Sequence, residues 1–390
     1  MNKSIRNQYH EQFYLKRDYE VLYPVFFKLE ESSDNNNFHQ LIKNNPQIVI
    51  VDEIQSQLEE LIKLRHPQEK LTEKELLQKI KAHIGETNID DYGVWVYYPW
   101  RNTLVHLLDE KEFVEVRTNR NQYKITPEEE EVLATKKIGI IGLSVGKAIA
   151  LTMAMERICG EIVLADFDVI ELSNLNRIQT GVHHFNIKKT VVVAREIAEI
   201  DPYLKVTCYH DGLTATNIND FFTKDKKLDV CIEVCDGLEI KILARQKAKV
   251  FGVPVVMNSS DRGTTDIERF DLDANLPILH GLISHLDLDK LKEAKTTKEK
   301  AIYLLPMLGI DTLSKRLQAS MPEIGKTITT WPQLASGVIF GGGICTDICR
   351  RILLNQFSKS GRYFVDIEDQ INNDIEDYIS KKNRINYKTE

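Results

Sequence analysis

Short runs of apolar residues alternate with stretches of helical periodicity between residue 137 and about residue 260. The apolar runs predict five strands, at 138–141, 161–166, 205–209, 228–234 and 253–258. The stretches between them predict helices at about 146–158, 186–200, 214–223 and 237–250. Such alternation is typical of parallel strands joined by right-handed crossovers. We therefore predict an α/β fold with a doubly wound, mostly parallel sheet of the Rossmann type.

The regions on either side of this alternation have different patterns. Residues 1–112 mix helix and strand, and the segments VWVYYPW and NTLVHLL predict strands whose aromatic residues belong to a core. We expect this region to be an accessory α+β domain, with the polar stretch 30–40 as an exposed loop. Residues 261–330 are less regular, and a glycine-rich helix and the strand-like GRYFVDI follow them. We expect the charged tail, residues 367–390, to fray.

The composition is that of an ordinary soluble globular protein, with 42% hydrophobic and 28% charged residues. The formal net charge is −7 and the pI is near 5.9, so the surface does not attract nucleic acid or anionic membranes. No uncharged apolar stretch approaches the roughly 18–20 residues that cross a bilayer, and no secretory signal is evident. The six cysteines form no C-x-x-C pair, which favours reduced thiols over disulfides or zinc. We expect a cytoplasmic protein.

Polar residues follow the predicted strands, where doubly wound sheets bind their ligands. Gly142 follows the first strand, Asp166 and Asp168 follow the second, and Asp236 follows the fourth. Together with Arg177, these acids suit a nucleotide that carries a metal ion. Asp166 lies 24 residues after Gly142 (166 − 142), close to the spacing at which an acid reaches a ribose hydroxyl.

The turn after the first strand is compatible with more than one kind of site. Gly142, Ser144 and Gly146 fit the G-x-S-x-G pattern of a hydrolase nucleophile elbow, but no HGG-type oxyanion segment precedes it. A P-loop is excluded, because it needs a glycine and a Ser or Thr where this chain has Ile141 and Ala148. Two further interpretations of this turn remain. It is either a degenerate nucleotide-binding turn or a tight turn between strand and helix that binds no ligand.

The segment LADFDVIELSNLNRIQ (164–179) closely resembles the D-x-D and S-N-L-x-R signature of the ubiquitin-activating-type adenylating enzymes, the ThiF, MoeB and HesA superfamily. Four other segments look like family motifs in the family's order: RTNRNQYKIT, NIKKTVVVAREIAEIDPYLKV, EVCDGLEIKILARQKAKVFGVPVV and QLASGVIFGGGICTDICRRILL. The resemblance covers about residues 113–366, the predicted adenylation domain of the ThiF type. Residues 259–282 resemble a bacterial subgroup that has an N-terminal extension and is often fused to a nitroreductase-like domain.

The resemblance implies a function and a role for each residue at the strand ends. The function is ATP- and Mg²⁺-dependent adenylation of a carboxylate by a homodimer, with release of pyrophosphate. The implied substrate is the C-terminal glycine of a small ubiquitin-like or sulfur-carrier protein. The implied roles are as follows: Gly142, Ser144 and Gly146 form the nucleotide turn, Asp166 binds the ribose, Asn174 and Arg177 bind the phosphates, Lys189 lies on the α- and β-phosphates, Asp236 binds Mg²⁺, and Arg120 reaches the ATP of the partner subunit.

The turn departs from the family's usual G-x-G-G-x-G. Ser144, Val145 and Lys147 replace glycines, so ATP binding could be weakened, or Lys147 could add a phosphate contact. Two alternatives to an enzyme of this family therefore stay open. One is an ATP-binding scaffold or sensor without turnover, and the other is an NAD(P)-dependent oxidoreductase with the same kind of turn.

The side of the site that receives the second substrate is less well marked. Ser260, Asp261 and Arg262 follow the fifth predicted strand and are candidates for it. No catalytic cysteine is evident, and the zinc-binding C-x-x-C pairs of many relatives are absent. We therefore predict no structural zinc and name no thioester nucleophile.

Overall fold

The computed structural model describes residues 21–288, 290–293, 297–367 and 371. Two β-sheets organise this part of the chain, one within residues 25–107 and one within residues 137–363. The predicted tail lies outside the described residues except for positions 367 and 371, so its fraying stays a prediction.

The smaller sheet has four strands: β1 (Val25–Phe27), β2 (Val49–Asp52), β3 (Val94–Tyr98) and β4 (Thr103–Leu107). Their order is β1-β3-β4-β2, antiparallel except for the parallel pair of β2 and β4. Helices α1 (Ser32–Asn44), α2 (Ile54–Arg65) and α3 (Glu73–Ile84) belong to the same region. The two strands predicted here are confirmed, and Trp95 and Tyr98 are buried as predicted.

The predicted loop at residues 30–40 is wrong, because α1 begins at Ser32. The stretch is polar and mostly exposed, but Phe38 is buried against the rings of Phe27 and Trp95, with centroids 6.0 and 5.3 Å away. Leu41 and Ile42, three and four residues after Phe38, pack against the same cluster, so the C-terminal half of the helix has a short apolar face that supports the polar first half.

Helices α4 (Glu110–Thr118) and α5 (Pro127–Ala134) lead to the larger sheet. Its strands are β5 (Lys137–Ile141), β6 (Glu161–Ala165), β7 (Lys205–Tyr209), β8 (Val230–Glu233), β9 (Val255–Asn258), β10 (Thr265–Glu268) and β11 (Gly361–Tyr363). The order is β11-β10-β9-β8-β5-β6-β7, with β5 to β9 parallel and β10 and β11 antiparallel at one edge. This topology confirms the predicted doubly wound, mostly parallel sheet of the Rossmann type.

Helices cover both faces of the larger sheet. The helices that follow β5 along the chain are α6 (Gly146–Glu156), α7 (Lys189–Ile200), α8 (Ile218–Thr223), α9 (Leu238–Phe251), α10 (Thr297–Leu308), α11 (Lys315–Ser320) and α12 (Ala335–Leu353). Helices α6, α7 and α12 contribute to the core on one face, and α8 and α9 to the core on the other. Helix α12 packs closely on α6 because Gly342 has no side chain, and a Cβ there would lie 3.1 Å from the backbone of Ala148.

Side chains connect the two sheets of the chain. Arg101, after β3, donates two hydrogen bonds of 2.8 and 2.9 Å to the carboxylate of Glu199 on α7. The hydroxyl of Tyr203 donates a 2.6 Å bond to the carbonyl of Leu108. Helix α4 spans the predicted domain boundary at residue 112, and that boundary stays a prediction. Among the described residues, every helix is too short or too polar to cross a membrane.

Candidate functional site

The turn between β5 and α6 is the point where three strand ends meet. Gly142 has φ of +90°, and a Cβ there would lie 2.8 Å from the backbone of Cys235, after β8. Its N–H donates a 2.9 Å hydrogen bond to the carbonyl of Ala165, at the end of β6. Gly146 begins α6, and a Cβ there would lie 2.9 Å from the side chain of Ile140. The two glycines are therefore required by close packing whether or not a ligand binds.

Replacing Gly142 with alanine should destabilise the protein by about 1–3 kcal/mol, the usual cost of forcing extra atoms into a packed site. The left-handed backbone and the Cys235 contact both oppose a side chain. Urea unfolding would measure the change. Gly343→Ala is the matched control, because Gly343 is exposed in α12 with nothing within 4 Å of its Cβ position, and it should be neutral or stabilising. Equal effects of the two substitutions would contradict this account of the turn.

Asp166 lies directly against this turn, as its spacing from Gly142 predicts. The carboxylate is buried, and its two oxygens accept hydrogen bonds from the backbone N–H groups of Leu143 (2.6 Å) and Asp168 (2.8 Å). Burial raises the pKa of the Asp166 carboxyl, against the opposing charge of Lys189. The bonds fix the carboxylate between the ends of β5 and β6.

The two predicted phosphate-binding cations lie beside the same edge of the sheet. Lys189 is buried at the start of α7, and its Nζ lies 2.7 Å from a carboxylate oxygen of Asp168, which is half exposed. Arg177 donates a 3.1 Å hydrogen bond from Nε to the hydroxyl of Ser144 in the turn. Each cation is thus held near the turn by a protein partner that solvent also reaches.

Asn174 supports the loop that carries Arg177. Its side chain is buried, and its Oδ1 accepts a 3.2 Å hydrogen bond from the N–H of Glu171. Its carbonyl accepts a 3.0 Å bond from the N–H of Arg177. In this structure Asn174 therefore positions Arg177, and its predicted contact with the phosphates stays a prediction.

Asp236 lies on the other side of the turn, exposed after the end of β8. With Val145 of the turn it lines a cavity that we call the acceptor cavity. The strand ends at 234–236 and 257–261 form one wall of this cavity, and residues between 304 and 333 form the other. Ser260 and Asp261 line it, as their position after β9 predicts, whereas Arg262 forms an ion pair of 2.5 Å with Asp366.

Arg120 is not brought to the turn, and the side chain of Lys147, which directly follows Gly146, is engaged in an ion pair with another helix. Arg120 is exposed, and the neighbouring Asn121 bonds to the carbonyl of Glu156, at the end of α6 opposite the turn. Its predicted action on a partner subunit stays a prediction. Lys147 is buried 2.5 Å from the Glu196 carboxylate on α7, so a phosphate contact by Lys147 would require breaking this ion pair.

Lys147 and Arg177 line a second cavity together with His183 and His184. Burial, with the charges of His183 and Lys147, lowers the pKa of His184 from 6.5 to about 4. The unfolded chain therefore binds this proton more readily than the folded chain, and stability is lost as pH falls from 6.5 towards 4.

Replacing His184 with glutamine should flatten this pH dependence, because glutamine keeps a polar side chain that takes up no proton. The free energy of urea unfolding, measured at several pH values between 7 and 4.5, would show it. His39→Gln, at an exposed position, should leave the dependence as in the original protein. An unchanged slope in His184→Gln would contradict the assignment.

The sequence did not reveal a buried ionic network beneath the acceptor cavity. Glu233, at the end of β8, is fully buried 2.5 Å from Arg245 and 2.7 Å from Lys241. Arg245 also lies 2.6 Å from Glu268 of β10, whose second oxygen accepts the N–H of Leu279 at 2.6 Å. Burial alone would raise the pKa of Glu233, but Lys241 and Arg245 lower it to about 2. One indication of this network was present in the sequence, which is that the acid Glu233 ends an otherwise apolar strand.

The cysteines of the described residues are free in this structure. Cys235 lines the acceptor cavity, but burial raises the pKa of its thiol, which disfavours the reactive thiolate. Among the described residues, no group of three His, Cys, Asp or Glu side chains could hold a metal ion alone.

The fold and this edge of the sheet define a doubly wound α/β protein with a nucleotide-type turn. The model of the ThiF family matches residues 117–353. The chain therefore belongs to the ThiF family, which confirms the resemblance to the ThiF and MoeB superfamily. The predicted link to proteins with a nitroreductase-like domain stays a prediction.

Three known proteins illustrate the similarity. "Uncharacterized protein MT1398" of Mycobacterium tuberculosis is 42% identical over 326 residues, which are 84% of this chain and 43% of that protein. A molybdopterin-synthase adenylyltransferase of Haemophilus influenzae is 24% identical over 207 residues, 51% of this chain and 80% of that protein. The structure of the E. coli tRNA N6-threonylcarbamoyladenosine dehydratase with ATP is 17% identical, with a TM-score of 0.45 over 62% of this chain and 95% of that one. The chain spans less than half the length of its mycobacterial relative.

Proposed function

We propose that this chain is an ATP-dependent adenylyltransferase that joins a carboxylate to AMP and releases pyrophosphate. The observation that carries the proposal is the arrangement around one glycine turn. Arg177 is bonded to Ser144 of the turn, Lys189 lies beside Asp166 and Asp168, and the cavity that contains Asp236 opens on the other side. Membership of a family with relatives named adenylyltransferases supports it.

The chemistry explains why cations are needed here. A carboxylate oxygen attacks the α-phosphorus, and the bond from that phosphorus to the oxygen bridging to the β-phosphate breaks. Both reactants are anions, so groups that neutralise the phosphates lower the barrier most where charge accumulates. Arg177 can bind two phosphate oxygens through its planar guanidinium, whereas Lys189 supplies a point charge. The N-terminus of α6, which has no side-chain cap, adds backbone N–H groups at the turn.

Magnesium fits this proposal as an ion that arrives with ATP. Asp236 supplies one exposed carboxylate, and Mg²⁺ is commonly bound by one or two carboxylates together with substrate phosphates and water. Asp236 would hold the ion, whose charge would offset that of the phosphates.

The proposed substrate is the C-terminal glycine of a small ubiquitin-like or sulfur-carrier protein. The similarity to a molybdopterin-synthase adenylyltransferase supports this class of substrate. We also propose a homodimer in which Arg120, exposed and distant from its own turn, acts on the ATP of the partner subunit.

ATP–pyrophosphate exchange tests the activity directly. Carrier-dependent exchange should appear in the original protein and be lost in Asp236→Ala, which removes an exposed side chain and should not impair folding. The absence of exchange and of AMP with all carriers offered would contradict the proposal.

A second candidate function is ATP binding without turnover. Asp166, Lys189 and Arg177 already have protein partners, and the turn lacks glycines that the family usually has. Calorimetry that detects Mg-ATP binding without AMP or pyrophosphate formation would favour this function. A thermal shift with NADH that exceeds the shift with Mg-ATP would instead favour an oxidoreductase.

A further inference from the structure

The acceptor cavity is unusually apolar for a site that adjoins a nucleotide turn. Its outer wall is built from α10, α11 and the segment that follows them. Six half-buried residues line the cavity there; Gln333 is polar, and the other five are apolar: Leu304, Leu308, Leu317, Met321 and Trp331. Ligand-binding pockets are typically concave and lined by partly exposed apolar surface, with a few polar groups at one side.

The outer wall is fixed to the sheet rather than loosely folded over it. The carboxylate of Asp266 in β10 accepts two hydrogen bonds of 2.7 Å from Arg362 of β11. Arg362 also donates to the carbonyl of Met307, at 2.8 Å, near the end of α10. At the start of α11, the N–H of Ser314 donates a 2.8 Å bond to Asp261. These bonds hold the cavity open in a defined shape.

The charges around the cavity disfavour a further anionic group in it, beyond the carboxylate that reacts at the nucleotide turn. Among the described residues that line it, Lys241 is the cation, and its Nζ lies 2.8 and 2.7 Å from the two oxygens of Glu233. Asp236 and Asp261 are its acids. A second carboxylate or a phosphate would therefore meet two acids and a lysine that is already neutralised.

The size of the cavity limits what it can hold. Its volume is about 130 Å³, close to the roughly 150 Å³ of an apolar protein cavity that binds benzene. It therefore has room for one aliphatic or aromatic side chain, and not for a folded domain.

We propose that the acid activated by this chain carries an apolar side chain of about leucine size among its last residues, and that this side chain occupies the acceptor cavity. The inference rests on the proposed adenylation and specifies its substrate. The carboxylate then lies at the end of the cavity formed by Val145, next to the nucleotide turn. The apolar side chain supplies binding energy at a distance from the reacting atoms and selects the correct C-terminal segment.

Acetylated tripeptides test this inference without knowledge of the carrier. Leucine is placed at each of the three positions in turn, with glycine elsewhere, and acetyl-triglycine serves as the reference. Binding is followed by the fluorescence of Trp331, the signal being assigned by its loss in Trp331→Phe. At least one leucine peptide should bind about tenfold or more tightly than the reference, as apolar pockets typically discriminate. The same peptide should be preferred in ATP–pyrophosphate exchange.

Variants then locate the selectivity in the cavity. Leu317→Asp should abolish the preference for leucine, and Leu317→Phe, which remains apolar but fills space, should reduce it. Leu272→Asp is the matched control, because Leu272 is exposed after β10 and outside the cavity. Circular dichroism and thermal unfolding establish whether each variant is folded. If Leu317→Asp does not fold, Leu317→Phe alone decides whether the selectivity for leucine lies in the cavity.

Each result has a definite meaning. Equal binding of leucine and glycine peptides would overturn the inference, and would leave the proposed function intact if Mg-ATP still binds and exchange occurs. Selective binding of a leucine peptide without any binding of Mg-ATP would overturn the proposed function while upholding the apolar selectivity of the cavity. Selectivity that survives Leu317→Asp in a folded protein would overturn the placement of the side chain.

Discussion

Replacing Arg245 with methionine should destabilise the protein by about 3–5 kcal/mol, the usual cost of breaking a buried ion pair by removing one partner. Arg245 and Glu233 are both fully buried, and Glu268 is nearly so. Without the guanidinium, Lys241 can still neutralise Glu233, but Glu268 keeps only the N–H of Leu279. The measurement is the free energy of unfolding in urea at pH 7.

The double variant Arg245→Met with Glu268→Leu distinguishes two causes of the lost stability: the loss of the ion-pair attraction, and the cost of leaving the Glu268 carboxylate buried without a cation. It should be more stable than Arg245→Met alone, because the orphaned carboxylate is removed with its partner. Arg351→Met is the surface control, since Arg351 and Asp347 are each about half exposed and such pairs contribute about 0–1 kcal/mol. If Arg245→Met costs no more than Arg351→Met, the network does not support the sheet.

The alternating pattern was sufficient to predict the larger sheet because each parallel strand is a local apolar run. All five strands predicted between residues 137 and 260 are present with bounds shifted by at most two residues at either end. The pairing of β10 with β9 and β11 could not be predicted in this way. The β10–β11 pair joins segments about 100 residues apart, such as Thr265 and Tyr363, and neither carries a signal for its partner. Strand β9 is close in sequence, with Asn258 opposite Thr265, but β10 itself was not among the predicted strands.

From the hydrophobic pattern alone, the candidate site was predictable only where its residues immediately follow strands, whereas the positions of Arg177 and Lys189 were predicted from the family resemblance. Asp166 and Asp236 are found at strand ends because the backbone itself places them there. The partners of the charged side chains depend on packing between distant elements, and the sequence does not encode them at a fixed spacing. Lys147 was open to a phosphate role until its ion pair with Glu196 on α7 was apparent. Glu233, Arg245 and Glu268 likewise form one network across β8, α9 and β10.

Replacing Lys189 with methionine should lower carrier-dependent ATP–pyrophosphate exchange by about a thousandfold or more, the scale on which a phosphate-binding cation acts in phosphoryl transfer. Methionine keeps much of the apolar length of this buried side chain but removes its charge. Stability should fall only modestly: the carboxylate of Asp168 that loses its partner is half exposed and is solvated by water, whereas the buried Asp166 carboxyl loses the nearby charge of Lys189. Exchange and thermal unfolding are measured on the same preparation.

Lys205→Met is the control, as Lys205 is an exposed lysine on the edge strand β7, and it should retain exchange. An Asp168→Asn variant should keep most of the activity, since Lys189 then remains available to the phosphates. Retained exchange in Lys189→Met would show that its charge serves only the pair with Asp168, and the scaffold function would then be the better account of this turn.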